Sequence, residues 1–251
     1  MILVFAAMQP EVGACLGWMR QYRQTEIEGF PALEADGAII CQTGLGRRAR
    51  VAAEALLERF RPGAALSVGV AGGLVSRLEV GDVVMCQRID HESHRAGGKQ
   101  ESVVSDSRLL GVALGAAKGL GLPVSKGTSL TVDVAAWGPA EKSAHHSWKG
   151  HDIVEMESFW IGEAAARHNV PFVAIRTISD CAGDELVQTY GVKEDGTFDT
   201  ERFLEYAREH PESAPLLAAQ AERSRVALGN LAIVLAGFLP PLVQHFHGGE
   251  R

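Results

Sequence analysis

Hydrophobic positions along the first two-thirds of the chain alternate between short continuous runs and helical repeats. Continuous apolar runs at 2–7, 38–41, 64–70 and 172–178 have the length of strands that are buried on both faces. Between them, a segment such as 48–60 carries its apolar residues at helical spacing and ends at a Pro-Gly pair. This alternation predicts an α/β fold, with a largely parallel or mixed sheet between helices.

The C-terminal part follows a different pattern. Residues 185–198 show no clear periodicity, whereas 199–208 and 212–236 have helical spacing. Pro240 and Pro241 then predict the end of the second helix, because proline lacks the N–H that a helix interior requires.

Composition and charge narrow the possible functions. Hydrophobic residues are 46% of the 251, which is enough for a buried core, and the net charge of −7 argues against a nucleic-acid binder. The four cysteines form no CxxC pair, and the start MILVFAAMQPE lacks the basic region of a signal peptide. We therefore expect a cytoplasmic protein, and no apolar run approaches membrane-spanning length.

Two acidic residues stand where neighbouring predicted strands end. Glu157 follows the short apolar start at 153–154, and Asp180 follows the run at 172–178. Ligands of α/β sheets bind outside the carboxyl ends of strands, so both acids are candidates for chemistry. Glu155 shares a face with Glu157 if the chain is still a strand there and points away if it is helical. Arg176 is a candidate partner for one of the acids.

Five ordered segments resemble the nucleoside phosphorylase/nucleosidase superfamily, most closely the branch of methylthioadenosine/S-adenosylhomocysteine nucleosidases. The segments are AAMQPEV at 6–12, TGLGR at 43–47, GVAGGL at 69–74 with VGDVV at 80–84, VEMES at 154–158, and VPFVAIRTISD at 170–180. The resemblance covers roughly residues 1–184. It implies a three-layer αβα fold with a twisted mixed central sheet. It also implies cleavage of the N-glycosidic bond of a purine nucleoside, without a cofactor.

The resemblance assigns a role to each acid. Asp180 matches the acid at purine N7, Glu157 the carboxylate that binds the ribose 2′-hydroxyl, and Glu11 the carboxylate that positions or deprotonates the attacking water. Met156 matches the residue packed against the sugar. Further substrate contacts are expected from Glu155, Ser179, Val70, Ala71, Gly72, Ala135, Ala136 and Trp137. These roles suit a reaction with an oxocarbenium-like sugar and a poorly leaving purine.

The nucleophile is predicted to be water. Phosphorylases of this superfamily place an Arg just before the glycine-rich turn at 69–74, and none stands there, while Glu11 occupies the water-activating position. Gly46 and Arg47, at a predicted helix N-terminus, are nevertheless a candidate anion site. Phosphorolysis therefore stays as the alternative.

Departures from the family pattern leave the substrate open. Val70 stands where nucleosidases often have Ser. An aromatic residue that stacks on the base would be expected near Ala135, and Trp137 could take the place of that residue. The C-terminal third resembles hopanoid-associated phosphorylases, which act on an adenosyl group attached to a polycyclic lipid. A large 5′-substituent is thus a second hypothesis, with 228–239 as a lipid or membrane contact, although such a stripe is more often core.

We expect a homodimer with one domain over 1–251, in which 1–184 form the catalytic core and 185–251 a mostly helical part. A nucleoside-binding protein without turnover is a third hypothesis, and the presence of all three acids argues against it. His91, Glu92 and His94 lie too close together in one loop to suit a metal site. We expect that loop to be solvated and the protein to bind no metal.

Overall fold

The computed structural model describes residues 1–35, 37–93, 102–188 and 191–247, without the side chain of His247. Its strands are β1 Ile2–Ala6, β2 Arg23–Ile27, β3 Phe30–Ala35, β4 Ala38–Gln42, β5 Ala64–Gly73, β6 Val83–His91, β7 Val103–Val104, β8 Val124–Thr131, β9 Ile153–Glu155 and β10 Phe172–Asp180. Its α-helices are α1 Gln9–Ala14, α2 Arg48–Phe60, α3 Ser107–Ala117, α4 Pro139–Lys149, α5 Ser158–Arg167, α6 Thr200–Glu209 and α7 Ala214–His247.

The strands form one mixed sheet in the order β10-β6-β8-β9-β5-β1-β4-β3-β2, with β7 beside β6. Strand β10 also pairs with β5, so five strands close into a ring. Gly72 in β5 lies opposite both Val154 in β9 and Asp180 in β10. This register brings the residues that follow β9 and those that end β10 to the same part of the sheet.

Helices cover both faces of the sheet. Leu56 and Leu57 of α2 and Ile161 of α5 pack in one core cluster, while Leu110 of α3 and Phe238 of α7 pack in the cluster on the other face. The predicted αβα architecture with a mixed sheet is therefore confirmed.

Helix α7 corrects the prediction that Pro240 and Pro241 end it. The helix continues through both prolines to His247. Each proline removes one backbone hydrogen bond and costs about 3 kcal/mol in a helix interior. Leu242 and Val243 are buried in the core just beyond the pair, and their packing offsets that cost.

Helix α7 differs from the expectation that no apolar stretch approaches membrane-spanning length. The stretch Pro211–Phe246 is long and apolar enough to cross a membrane by length and composition, with a mean hydropathy of 2.0 over an 18-residue window. A long core helix has the same features. Leu231, Leu235 and Phe238 are completely buried against the sheet, whereas Ile233 is 45% exposed, so one face of the stripe at 228–239 packs in the core.

Candidate active site

A cavity of about 330 Å³ lies where β5, β9 and β10 meet. It collects the three predicted acids and all nine predicted substrate contacts, and leaves out Gly46 and Arg47. Its wall consists of Ala7, Met8, Glu11, Leu45, Val70, Ala71, Gly72, Val132, Ala135, Ala136, Trp137, Val154, Glu155, Met156, Glu157, Ser179, Asp180, Leu186, Val192, Gln220 and Ser224.

Glu11 enters the cavity from the first turn of α1. Its Oε2 accepts the backbone N–H groups of Ala7 (3.0 Å) and Met8 (2.9 Å), and Oε1 accepts that of Val70 (2.9 Å). A Cβ at Gly69 would lie 2.3 Å from Oε1, so only glycine leaves room for this carboxylate. Burial raises the pKa of Glu11, against the lowering influence of the Arg176 guanidinium and the three N–H donors.

The carboxylate of Glu155 is bonded to groups of the protein. Its Oε2 accepts Nη2 of Arg176 (2.9 Å) and the N–H groups of Glu157 (3.0 Å) and Ser158 (2.7 Å), and its Oε1 accepts the hydroxyl of Thr131. Burial alone would raise the pKa of Glu155, but Arg176 and these hydrogen bonds outweigh it and lower the pKa. Glu155 therefore pairs with Arg176 and fixes the turn into α5, and its predicted contact with the substrate stays a prediction.

Glu157 stands at the start of α5 and is buried. Its Oε1 accepts the N–H of Gly46 at 2.8 Å. Burial, together with repulsion from Glu155, raises the pKa of Glu157 to about 8, while Arg176 opposes the shift. Two neighbouring carboxyl groups thus have opposite tendencies: Glu155 keeps its charge, and Glu157 favours the neutral form near neutral pH.

Replacing Glu157 with Gln is expected to stabilise the protein at pH 9 and to change its stability little at pH 4. A carboxyl group whose folded pKa lies above its unfolded value costs stability as pH rises from about 4.5 to about 8. The gain at high pH should be on the order of 2–4 kcal/mol. Urea unfolding across this pH range measures it. A pH-independent difference between Glu157→Gln and wild type would contradict the assigned protonation.

Asp180 ends β10 and is buried beside two polar side chains. The hydroxyl of Ser179 donates to Oδ1 at 2.7 Å, and Nζ of Lys142 lies 2.5 Å from Oδ2 in an ion contact that lacks hydrogen-bond alignment. A Cβ at Gly72 would come within 2.9 Å of Oδ2, so a larger residue would press on the carboxylate. Sequence reasoning missed Lys142, because one lysine in a helical segment ordinarily indicates a solvated face.

The remaining wall includes a part that the sequence did not predict. Leu186, Val192, Gln220 and Ser224 come from the C-terminal part of the chain. The N–H of Leu186 donates to the carbonyl of Trp137 (2.8 Å), and the N–H of Val187 donates to Oε1 of Gln220 (2.9 Å). The spacing of Gln220 and Ser224, one helical turn apart on α7, was the only sequence signal for this wall.

At the predicted anion site, Gly46 and Arg47 both have partners within the protein. The N–H of Gly46 is taken by Glu157. Arg47 pairs with Asp133, with 3.1 Å between Nη2 and Oδ2, and its guanidinium lies 4.8 Å from the ring centre of Trp160. Both groups that would have bound the anion therefore serve contacts within the protein.

His91 differs from the predicted solvated loop. It ends β6, is buried, contacts Trp160 in a tilted arrangement with 4.4 Å between ring centres, and lies 3.3 Å from Asp133 (Nε2 to Oδ1). His94 lies outside the described residues. Within the described ranges, no group of three or more His, Cys, Asp or Glu side chains could hold a metal ion.

Comparison with known sequences identifies relatives along most of the chain. The sequence profile of the Phosphorylase superfamily matches residues 3–212. The 5′-methylthioadenosine/S-adenosylhomocysteine nucleosidase of Bacillus licheniformis is 30% identical over 229 residues, which are 83% of this chain and 94% of that protein. The protein of the same name from Chromohalobacter salexigens is 30% identical over 239 residues, or 88% of this chain and 97% of its own length.

Solved structures share the fold. The methylthioadenosine/S-adenosylhomocysteine nucleosidase of Neisseria meningitidis, in complex with methylthio-immucillin-A, aligns with a TM-score of 0.72 and 23% identity over 96% of this chain and 98% of its own. The futalosine hydrolase of Helicobacter pylori aligns with a TM-score of 0.76 and 16% identity over 96% and 97% of the two chains.

Proposed function

The chain belongs to the Phosphorylase superfamily, and on that premise we propose that it is a purine nucleosidase. It hydrolyses the N-glycosidic bond of a 5′-modified adenosine, such as methylthioadenosine or S-adenosylhomocysteine, to adenine and the modified ribose. The sequence relatives that carry this activity in their names match it over nearly their whole length.

One observation carries the proposal: three buried carboxyl groups reach one cavity from three separate elements. Glu11 comes from α1, Glu157 from the start of α5, and Asp180 from the end of β10. Hydrolysis needs an acid for the purine, a contact to the ribose hydroxyls and a base for water. We assign these roles to Asp180, Glu157 and Glu11, respectively, and Met156 to the sugar wall.

The surroundings of Glu11 favour water over phosphate as the nucleophile. Three convergent backbone N–H groups, from Ala7, Met8 and Val70, would suit an anion, but the Glu11 carboxylate already accepts all three. A phosphate next to it would meet a like charge in a buried place, whereas a neutral water would not.

Adenine release from methylthioadenosine, with and without phosphate, tests the proposal. We expect release at equal rates in both conditions and free methylthioribose as the sugar product. Strict dependence on phosphate and a sugar 1-phosphate product would contradict hydrolysis. Nucleoside binding without adenine release would instead favour the non-catalytic hypothesis.

Exposed apolar residues near the cavity support a second candidate function, the cleavage of a nucleoside with a larger 5′-substituent. Val192 lines the cavity and is 42% exposed, and Phe198, which pairs with it, is 50% exposed. These apolar surfaces adjoin the cavity from the C-terminal part of the chain. Measurement of kcat/KM for adenosines with 5′-alkylthio chains from methyl to decyl separates the candidates, because only a large natural substituent would make kcat/KM rise with chain length.

We further propose a cytoplasmic homodimer built from one domain over 1–251. The four cysteines are free thiols, which suits a reducing compartment. Helix α7 from the C-terminal part packs in the same core cluster as β1 and β5, which supports a single domain. Sedimentation measurements test the dimer.

A further inference from the structure

Lys142 is a buried lysine outside the cavity wall. It lies on α4, its side chain is about 1% exposed, and its Nζ is 2.5 Å from Oδ2 of Asp180. The same ammonium group donates to the carbonyls of Cys181 (2.7 Å) and Asp184 (3.1 Å). Its contact with Asp180 is electrostatic, because it lacks hydrogen-bond alignment. Burying an ammonium costs several kcal/mol unless polar groups surround it, and here the two carbonyls and the Asp180 side chain do so.

We propose that Lys142 is a positioning residue for Asp180: it orients this carboxyl group toward the purine and stabilises the carboxylate that remains after proton transfer. The inference rests on the proposed nucleosidase function and on the role given there to Asp180. Lys142 lies outside the described cavity wall, which includes Asp180, so we expect it to act on the substrate only through Asp180.

The charge changes during the proposed reaction explain why an ammonium is useful there. The protonated form of Asp180 is the one that reacts: its O–H bond breaks as the N7–H bond forms, and the C1′–N9 bond breaks with its electron pair left on the purine. Water adds to C1′ and gives its proton to Glu11. Asp180 thus gains a negative charge in a buried site, where an ammonium 2.5 Å away stabilises charge far better than it would in water.

The two oxygens of the Asp180 carboxyl group have different contacts. The Ser179 hydroxyl donates to Oδ1, and Nζ of Lys142 contacts Oδ2. Gly72 leaves free the space that a side chain at that position would fill. The group therefore has a defined orientation before substrate arrives, which is the condition for efficient proton transfer.

The structural role of Lys142 is separable from its charge. Its bonds to Cys181 and Asp184 hold the segment after β10, which is also closed by the N–H of Cys181 donating to Oδ2 of Asp184 (2.7 Å). Glutamine at position 142 keeps N–H donors for this segment and removes the charge. Lys149→Gln is the matched control, because Lys149 is on the same helix and lies 4.0 Å from Asp90, away from Asp180.

The test compares two leaving groups. Adenine needs protonation to depart, whereas 4-nitrophenolate leaves as a stable anion. Lys142→Gln is expected to lower kcat for methylthioadenosine about 10- to 100-fold, with KM nearly unchanged and kcat for 4-nitrophenyl 5-methylthioriboside reduced less than about threefold. Lys149→Gln should match wild type on both substrates. Equal losses of Lys142→Gln on the two substrates would overturn the inference.

A double-mutant cycle covers the case in which Lys142→Gln does not fold. Removing both charges together is tolerated better than removing one, so Lys142→Met with Asp180→Asn is the suitable background. If Lys142 acts through Asp180, this double variant turns over methylthioadenosine as slowly as Asp180→Asn alone. A further tenfold loss would contradict the inference. Failure of wild type to release adenine would contradict the proposed function instead.

Discussion

Replacing Asp180 with Asn is expected to lower kcat for adenine release from methylthioadenosine by about 10²–10⁴-fold. Asparagine has the size of the carboxyl group and still reaches the Ser179 hydroxyl, but its amide supplies no acidic proton for N7. The leaving purine must then depart as an anion, which is the costly route. Steady-state release of adenine measures the loss, and 4-nitrophenyl 5-methylthioriboside should be cleaved at close to the wild-type rate.

Asp106→Asn is the matched control for that substitution. Asp106 caps α3 by accepting the N–H groups of Arg108 and Leu109, and asparagine caps a helix equally well. The control therefore loses one carboxylate away from the cavity with little change in stability. If Asp180→Asn kept adenine release within about threefold of wild type, the assignment of Asp180 as the acid would be wrong.

Replacing Glu11 with Gln is expected to lower kcat by about 10²–10³-fold on methylthioadenosine and on the 4-nitrophenyl substrate alike. Water attacks the sugar in both reactions, so the leaving group does not compensate for a missing base. This shared loss distinguishes the role of Glu11 from that of Asp180, whose loss depends on the leaving group.

The pH profile gives a second signature of Glu11. A base acts only when ionised, so wild-type kcat/KM should fall as pH drops through the Glu11 pKa, which burial raises above 4.5. Glu11→Gln should lack this acidic limb. Glu163→Gln, which removes a partly exposed carboxylate paired with Arg167, is the control. An unchanged acidic limb in Glu11→Gln would contradict its role as the base.

Local patterns were sufficient for most of the fold. Continuous apolar runs predicted β1, β4, β5 and β10, because a strand covered on both faces needs apolar side chains at every position. The pattern failed at Pro240 and Pro241, where packing of the residues beyond them outweighed a strong local preference. It also failed at His91, whose burial depends on Trp160 from a distant helix.

The orientation of Glu155 is a similar case within the candidate site. Its two alternatives, on the face of Glu157 or away from it, differed only in the local backbone. In the structure, Arg176, Thr131 and two backbone N–H groups fix the Glu155 carboxylate. Neither alternative could be chosen from the sequence, because two of these partners, Thr131 and Arg176, come from the distant strands β8 and β10.

The sequence by itself determined the fold class and the family, and it proposed the three acids Glu11, Glu157 and Asp180, because hydrophobic periodicity and short ordered motifs are local properties. Only the tertiary structure decided that these acids share one cavity, that Glu11 fills a nest of N–H groups, and that Lys142 lies beside Asp180. These features arise from contacts between distant segments. Burial there changes the energy of every charge, and neither the contacts nor the burial can be derived from local pattern.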